Sequence, residues 1–236
     1  MNGDPFSHTV QLTCPAHRSS RATLGLHQRG PGVRPAQRHA AQAEGEELRL
    51  ARVAAAFRGF MESLGLDLGD PDLARTDHRV ARAYRELFGG LRPDAEPRLS
   101  TFPNTEAYAG IVSVTGIPFY SICAHHFLPF FGTADVGYIP GERLAGLSKL
   151  ARVVGFFARR PQLQERLTEQ VAALLDDRLA PGVIVLVEAR HLCTEMRGVE
   201  TRSTTTTLAV RGTLKDERLQ EQFFARLRRA GAPPPL

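Results

Sequence analysis

Two short stretches hold nearly all the sulfur and imidazole chemistry in the body of this chain. One reads Cys123-Ala124-His125-His126 and the other His191-Leu192-Cys193. The remaining cysteine, Cys14, and four more histidines, His8, His17, His27 and His39, fall near the start, and the body adds only His78. Cys123 and His126, three positions apart, can reach one ion, and Cys193 from a distant segment makes a third ligand. Three protein ligands on a tetrahedral ion leave one position open for water, the arrangement of catalytic rather than structural zinc. His125 and His191 are then left beside the metal for proton transfer. A lone cysteine is more commonly a small buried hydrophobe. Weight comes from the pairing of Cys-x-x-His with a distant His-x-Cys in a body otherwise free of cysteine.

The composition narrows the classes. The chain has 236 residues, of which 42% are hydrophobic and 23% charged, enough for a packed core in one large domain or two small ones. No apolar run is long enough to span a bilayer, so no membrane role is expected. Three cysteines without a secretory signal argue against a disulfide framework and for a reducing, cytoplasmic compartment. The net charge of +5 hints at nucleic acid, but its location removes the hint. Residues 1–43 carry Arg18, Arg21, Arg29, Arg34 and Arg38 against Asp4 alone, so the body is close to neutral and no nucleic-acid partner is expected.

The elements that must position the two patches follow from periodicity. Residues 1–43 are rich in Arg, Pro and Gly and lack an apolar period, so they read as a disordered tail. From Glu46, the residues Leu48, Val53, Phe57, Phe60, Met61 and Leu64 recur at helical spacing as far as Gly65. A second helix is predicted over 77–88, capped by Thr76 or Asp77 and stopped by Gly89-Gly90. These two make an N-terminal helical region over 44–95. Strands are predicted over 111–114 and 119–122 around a turn at Gly116, and over 133–139 before Pro140-Gly141. Helices over 148–158 and 163–179 follow, separated by Pro161, then strands over 183–189 and 204–210 and a short charged helix over 216–228. This order gives an α+β layout, an antiparallel sheet with helices on one face, over 96–236. The two patches fall at strand ends, where sites are commonly built.

Several of these segments resemble a known family. The run from Ser121 to Phe130, the run Gly146-Leu147-Ser148-Lys149-Leu150-Ala151-Arg152, and the run from Arg160 to Thr168 are similar to the hallmarks of GTP cyclohydrolase I. So are Tyr138-Ile139-Pro140, His191-Leu192-Cys193, Arg197-Gly198-Val199, and upstream Arg79-Val80-Ala81 and the run from Glu86 to Leu91. The resemblance covers roughly residues 46–230 in order. It implies a T-fold: a four-stranded antiparallel sheet, two long helices on one face and an N-terminal helical region. It also implies a homodecamer of two stacked pentamers with sites between subunits, which fits strands that would otherwise leave open edges.

The resemblance further implies roles. Cys123, His126 and Cys193 bind one Zn²⁺ per subunit, the trio reached above from the residues alone. Zinc lowers the pKa of its water to about 7 and so provides a nucleophile for attack on C8 of GTP. His125 and His191 form the proton-transfer pair, and Ser148 assists the later ribose steps. Water is the co-substrate, and the products are formate and 7,8-dihydroneopterin triphosphate, the first step of tetrahydrofolate synthesis. Glu165 holds the N1–H and 2-amino group of guanine, with Gln164 beside it. Lys149, Arg152 and Arg197 contact the triphosphate, and Arg79 reaches in from a neighbouring subunit, guanidinium forks being suited to phosphate.

One departure stands out. The family usually carries Glu where this chain has Ala124, which removes a possible partner for the metal ligands. Such losses typically cost ~10–100-fold in affinity or activity. Alternative readings are a paralogue that opens the GTP imidazole ring for a deazapurine or other secondary pathway, and a non-catalytic zinc or nucleic-acid module. The open coordination position and the spare histidine pair oppose the last.

Overall fold

The structure is a computed structural model that describes the backbone of residues 35–230 and the side chains of residues 45–228. The stretch 1–34 of the expected tail, with Cys14, lies outside the described residues. The chain divides into two compact units, Met1–Gly45 and Glu46–Leu236, and the candidate site lies in the second.

Helix α1 spans Pro35–Ser63, starting inside the stretch read as tail. Ala54 and Met61, two turns apart, bury their side chains, but Leu48, Val53, Phe60 and Leu64 stay exposed. The apolar period therefore marks a helix correctly but does not say which stripe its own chain covers. Helix α2, Thr76–Leu87, differs from expectation at its start. Its N-cap is Arg75, in a left-handed conformation and without a side-chain cap, while Asp77 accepts the N–H of His78 at 2.8 Å. Gly89-Gly90-Leu91 then form a 3₁₀ turn that docks on the end of a later helix. Only glycine fits at position 90, because a Cβ there would lie 2.2 Å from the carbonyl oxygen of Phe156. Arg160 completes this contact, donating from Nε to Gly90 O at 3.0 Å with its guanidinium 4.2 Å from the Phe156 ring centroid.

The remaining elements build the sheet and its covers. Strands β1 (Thr101–Pro103) and β4 (Arg143–Ala145) form a small antiparallel pair. The main sheet contains β2 (Val112–Cys123), β3 (Pro129–Tyr138), β5 (Pro161–Gln162), β6 (Gly182–His191) and β7 (Thr204–Gly212). Its order is β5-β2-β3-β6-β7. Helices α3 (Leu147–Ala158) and α4 (Gln164–Arg178) lie on one face, α5 (Leu192–Glu195) is a single turn after β6, and α6 (Glu217–Ala230) closes the chain.

Four strands are antiparallel, as expected, but the sheet has a fifth. Helix α3 ends at Ala158, and the two extended residues Pro161 and Gln162 pair parallel with Ile122 and Cys123. A second correction concerns Gly116. The segments read as two strands around a turn are one strand with a bulge, where the register slips between Val114↔Val136 and Ile117↔Ala134. Gly116 takes φ +66°, and its N–H donates to Asp135 Oδ1 at 2.7 Å. The core lies between the sheet and α3/α4, with Phe130, Val136, Tyr138, Leu150, Val153, Leu167, Val171 and Leu175 fully buried. The opposite face is not bare, because Phe223 of α6 packs with Ile111, Ile184 and Leu214. Among the described residues no helix is long and apolar enough to cross a membrane.

Candidate active site

The first ligand patch sits where β2 runs out. Cys123 is the last residue of β2, buried against the core, and the chain reverses immediately after it. Cys123 N–H donates to Leu128 O, and Phe127 N–H donates to Cys123 O, both at 2.9 Å. Ala124 N–H donates to Gln162 O at 2.9 Å, so the short strand β5 pins the start of the turn. Gln162 is itself fixed, because its amide donates to Phe157 O at 2.9 Å and Gln170 Oε1 at 2.8 Å. That contact at Ala124 is made by the backbone, so it does not depend on which side chain stands there.

The second patch sits where β6 ends. Cys193 is buried on the single turn α5. Two contacts hold this turn: Thr194 Oγ1 donates to His191 O at 2.9 Å, and Arg190 makes a two-pronged ion pair with Glu195 at 3.0 and 2.6 Å. Because β3 pairs antiparallel with both β2 and β6, those two strands run the same way and their C-terminal ends arrive at the same end of the sheet. The ligand atoms of Cys123, His126 and Cys193 consequently lie within 4.8 Å of one another, with Cys123 Sγ 3.8 Å from His126 Nδ1.

This group fits a metal ion. Ligands about 2.0–2.3 Å from a tetrahedral ion are spaced on this scale, and two sulfurs with one imidazole suit zinc. Burial, and then the neighbouring Cys123 thiol, push the Cys193 thiol above its ordinary range, against the opposing pull of the Arg197 guanidinium. A bound cation would invert that balance for Cys193, because a coordinating thiol is deprotonated.

His191 stands beside the group with its ring held on two sides. It stacks on Phe130, its register partner across the sheet, at 4.8 Å between centroids and 1° between planes. Its Nε2 lies 2.7 Å from Oε1 of Gln164. The amide nitrogen of Gln164 donates to Val187 O at 3.0 Å and Thr205 O at 2.9 Å, with Thr207 Oγ1 at 3.2 Å. With the nitrogen so occupied, Oε1 can only accept, so His191 Nε2 carries the hydrogen and Nδ1 is left for proton transfer. Burial lowers the His191 pKa, and Glu165 and Glu195 oppose that shift.

A pocket of about 480 Å³ opens in front of His191, lined by Gln164, Glu165, Thr194, Val199, Thr201, Ser203 and Thr205. Glu165 is exposed on the first turn of α4. His125 is exposed next to His126, and their ring centroids are 6.1 Å apart. Arg197 is exposed just beyond α5.

Other predicted residues are not brought here by the single chain. Ser148, Lys149 and Arg152 lie on the first turns of α3, and none of them lines this pocket. Arg79 is engaged locally, donating to Ala74 O at 2.7 Å, Asp72 O at 3.2 Å and Thr76 Oγ1 at 2.6 Å. Gln164, expected among the substrate contacts, is 2% exposed; it lines the pocket and its side chain also contacts His191. The sequence reading missed Phe130 and the hydroxyls of Thr201, Ser203 and Thr205. Only the strand register, which sets Phe130 opposite His191, could have revealed the first.

A family model described as GTP cyclohydrolase I matches residues 53–228. GTP cyclohydrolase 1 of Mycobacteroides abscessus is 52% identical over 169 residues, covering 70% of this chain and 82% of that protein. The Mycobacterium avium protein of the same name is 51% identical over 169 residues, covering 70% and 82%. That of Mycobacterium tuberculosis is 50% identical over 168 residues, covering 70% and 83%. Among solved structures, the archaeosine synthase QueF-Like in the apo form aligns with a TM-score of 0.35 at 16% identity, covering 44% of this chain and 94% of that one.

Proposed function

The chain belongs to the GTP cyclohydrolase I family, and we propose that Cys123, His126 and Cys193 hold its catalytic zinc while His125 and His191 move the protons. It is an enzyme that converts GTP and water to 7,8-dihydroneopterin triphosphate and formate, the first step of pterin and tetrahydrofolate synthesis. The observation that carries the assignment of residues is the convergence of two sulfurs and one imidazole within 4.8 Å, beside a pocket walled by His191 and Glu165.

Zinc, held there by Cys123, His126 and Cys193, would supply Lewis acidity that makes water a nucleophile near neutral pH. The protein does the rest by placement. Glu165, at the mouth of the pocket, offers two acceptor oxygens to the adjacent N1–H and 2-amino donors of guanine, a pair that adenine lacks. His191, its Nε2–H held by Gln164, presents Nδ1 as the atom that gives and takes a proton while the imidazole ring opens. His125, exposed on the metal-ligating turn, serves as the second proton carrier. Arg197 stands near Cys193 as one cation for the triphosphate.

Ser148, Lys149, Arg152 and Arg79 act at a site completed by another copy of the chain. Three features support assembly. The sheet has two open edges, β7 and the first ten residues of β2, because β5 covers only Ile122 and Cys123. In the order β2-β3-β6-β7 every pairing is antiparallel, so β7 of one copy beside β2 of the next continues the same alternation. The exposed apolar stripe of α1 is also unmatched within the described chain. We read these as the T-fold ring of the family, closing as a pentamer and stacking as a decamer.

The test is to incubate the purified protein with GTP and identify products by mass spectrometry. Formate and a dihydropterin triphosphate in equal amounts are expected. A ring-opened formamide alone would mean that the ribose rearrangement is not completed here.

A further inference from the structure

Three aromatic rings tie the N-terminal helical region to the turn that carries His126. Tyr84 and Phe88, one turn apart on and just after α2, have centroids 5.4 Å apart at 62°. Phe127 meets both, edge-on to Phe88 at 5.9 Å and 86°, and near-parallel to Tyr84 at 6.5 Å and 24°. These distances and angles are ones at which aromatic pairs attract each other beyond simple burial.

Phe127 follows the ligand His126 directly and takes φ +53°, a left-handed conformation that bulky residues avoid. The turn demands this backbone. Phe127 N–H must reach back to Cys123 O, and Leu128 O must receive Cys123 N–H, both at 2.9 Å, within six residues. Glycine would meet the demand without strain. Here the position holds an aromatic ring that is 49% exposed, so core burial does not fix it. Its ring neighbours Tyr84 and Phe88 both come from the α2 segment.

We propose that Tyr84 and Phe88 are positioning residues for the metal site, holding Phe127 left-handed so that His126 stays aimed at Cys123 and Cys193. The helical region thus contributes to metal retention without contributing a ligand. The inference rests on the reading of Cys123, His126 and Cys193 as the zinc site. Loss of the Tyr84 ring leaves the strained Phe127 backbone without its support, the turn relaxes, and zinc leaves faster.

The experiment follows transfer of zinc from the full-length, zinc-loaded protein to a chromophoric chelator. Tyr84→Ala is expected to speed release about 10-fold, the lower end of what loss of a supporting group does to a metal site. Tyr84→Phe is expected to release at the wild-type rate, because the hydroxyl contact to Phe127 O is long, at 3.5 Å, and only the ring is needed. In a chain that carries Phe127→Gly, Tyr84→Ala is expected to add nothing, because glycine adopts the turn unaided. Wild-type release from Tyr84→Ala, or equal acceleration in both backgrounds, would overturn the proposal. Should Tyr84→Ala fail to fold, Phe88→Leu takes its place in the same comparison. A wild-type protein that takes up no zinc would overturn the metal site and this proposal together. A zinc-loaded wild type with indifferent variants would overturn this proposal alone.

Discussion

Gln164 Oε1 accepts from His191 Nε2 at 2.7 Å, across 27 positions of sequence, and this contact decides which nitrogen of the histidine faces the chemistry. Gln164→Met keeps the length of the side chain and removes the acceptor. A misaligned catalytic group costs on the order of 10²-fold, so a fall in kcat of about 10- to 100-fold is expected, with zinc content and KM for GTP little changed. Steady-state kinetics beside metal analysis check this. A KM effect with normal kcat would place Gln164 on the substrate instead.

Glu165→Gln replaces one acceptor oxygen with a donor that opposes the paired donors of guanine. Leaving a donor unsatisfied in a site costs about 1–3 kcal/mol, so kcat/KM for GTP should fall roughly 5- to 150-fold. Nucleotide binding through Lys149, Arg152 and Arg197 should survive and weaken with salt. Unchanged kinetics would make Glu165 an ordinary surface residue of α4.

Asp135 gives a pH signature remote from the metal. Burial raises its carboxyl pKa above the ordinary 3.8, only partly offset by the hydrogen bond from Gly116. The folded state therefore binds the proton more tightly than the unfolded state. Stability from this group is complete below pH 3.8 and is lost as the pH rises through the raised folded value. Asp135→Asn keeps the acceptor for Gly116 and removes the buried charge. Its melting temperature relative to wild type should climb from pH 4 to 7, by thermal melts at matched metal loading. A constant difference would mean that burial does not raise the Asp135 carboxyl above its ordinary value.

The candidate metal-binding group was legible because sulfur and imidazole donors are scarce in the body of the chain and cluster in two stretches, which the fold brings within 4.8 Å. The helices α3 and α4 were legible for a similar reason: their apolar periods are long and Pro161 separates them. Strand β5 was not, since two residues leave no periodicity and its pairing with Ile122 and Cys123 is fixed by the fold. Gly116 advertised a positive φ, but a turn and a bulge need the same glycine, and only the continuity of β3 along both halves of β2 tells them apart. On α1, Phe60 and Leu64 share the helical period with Met61, yet of the three only Met61 is buried. The partnership of Gln164 with His191 depends on β6 and β7 bringing Val187 and Thr205 to the start of α4, which no local pattern encodes. Ser148, Lys149, Arg152 and Arg79 do not line the pocket beside His191 in the single chain, and nothing in their local sequence says where along the fold they meet a ligand.

The most direct test of the account is zinc per subunit in His125→Ala and His126→Ala, measured on the protein used for formate release. His126 Nδ1 lies 3.8 Å from Cys123 Sγ, whereas His125 is outside the ligand group. His126→Ala should therefore lose zinc and turnover together. His125→Ala should keep about one zinc per subunit and lose ~10²–10⁴-fold in turnover, as removal of a general acid–base group does. Zinc lost from His125→Ala and retained in His126→Ala would contradict the assignment of the metal and proton-transfer roles.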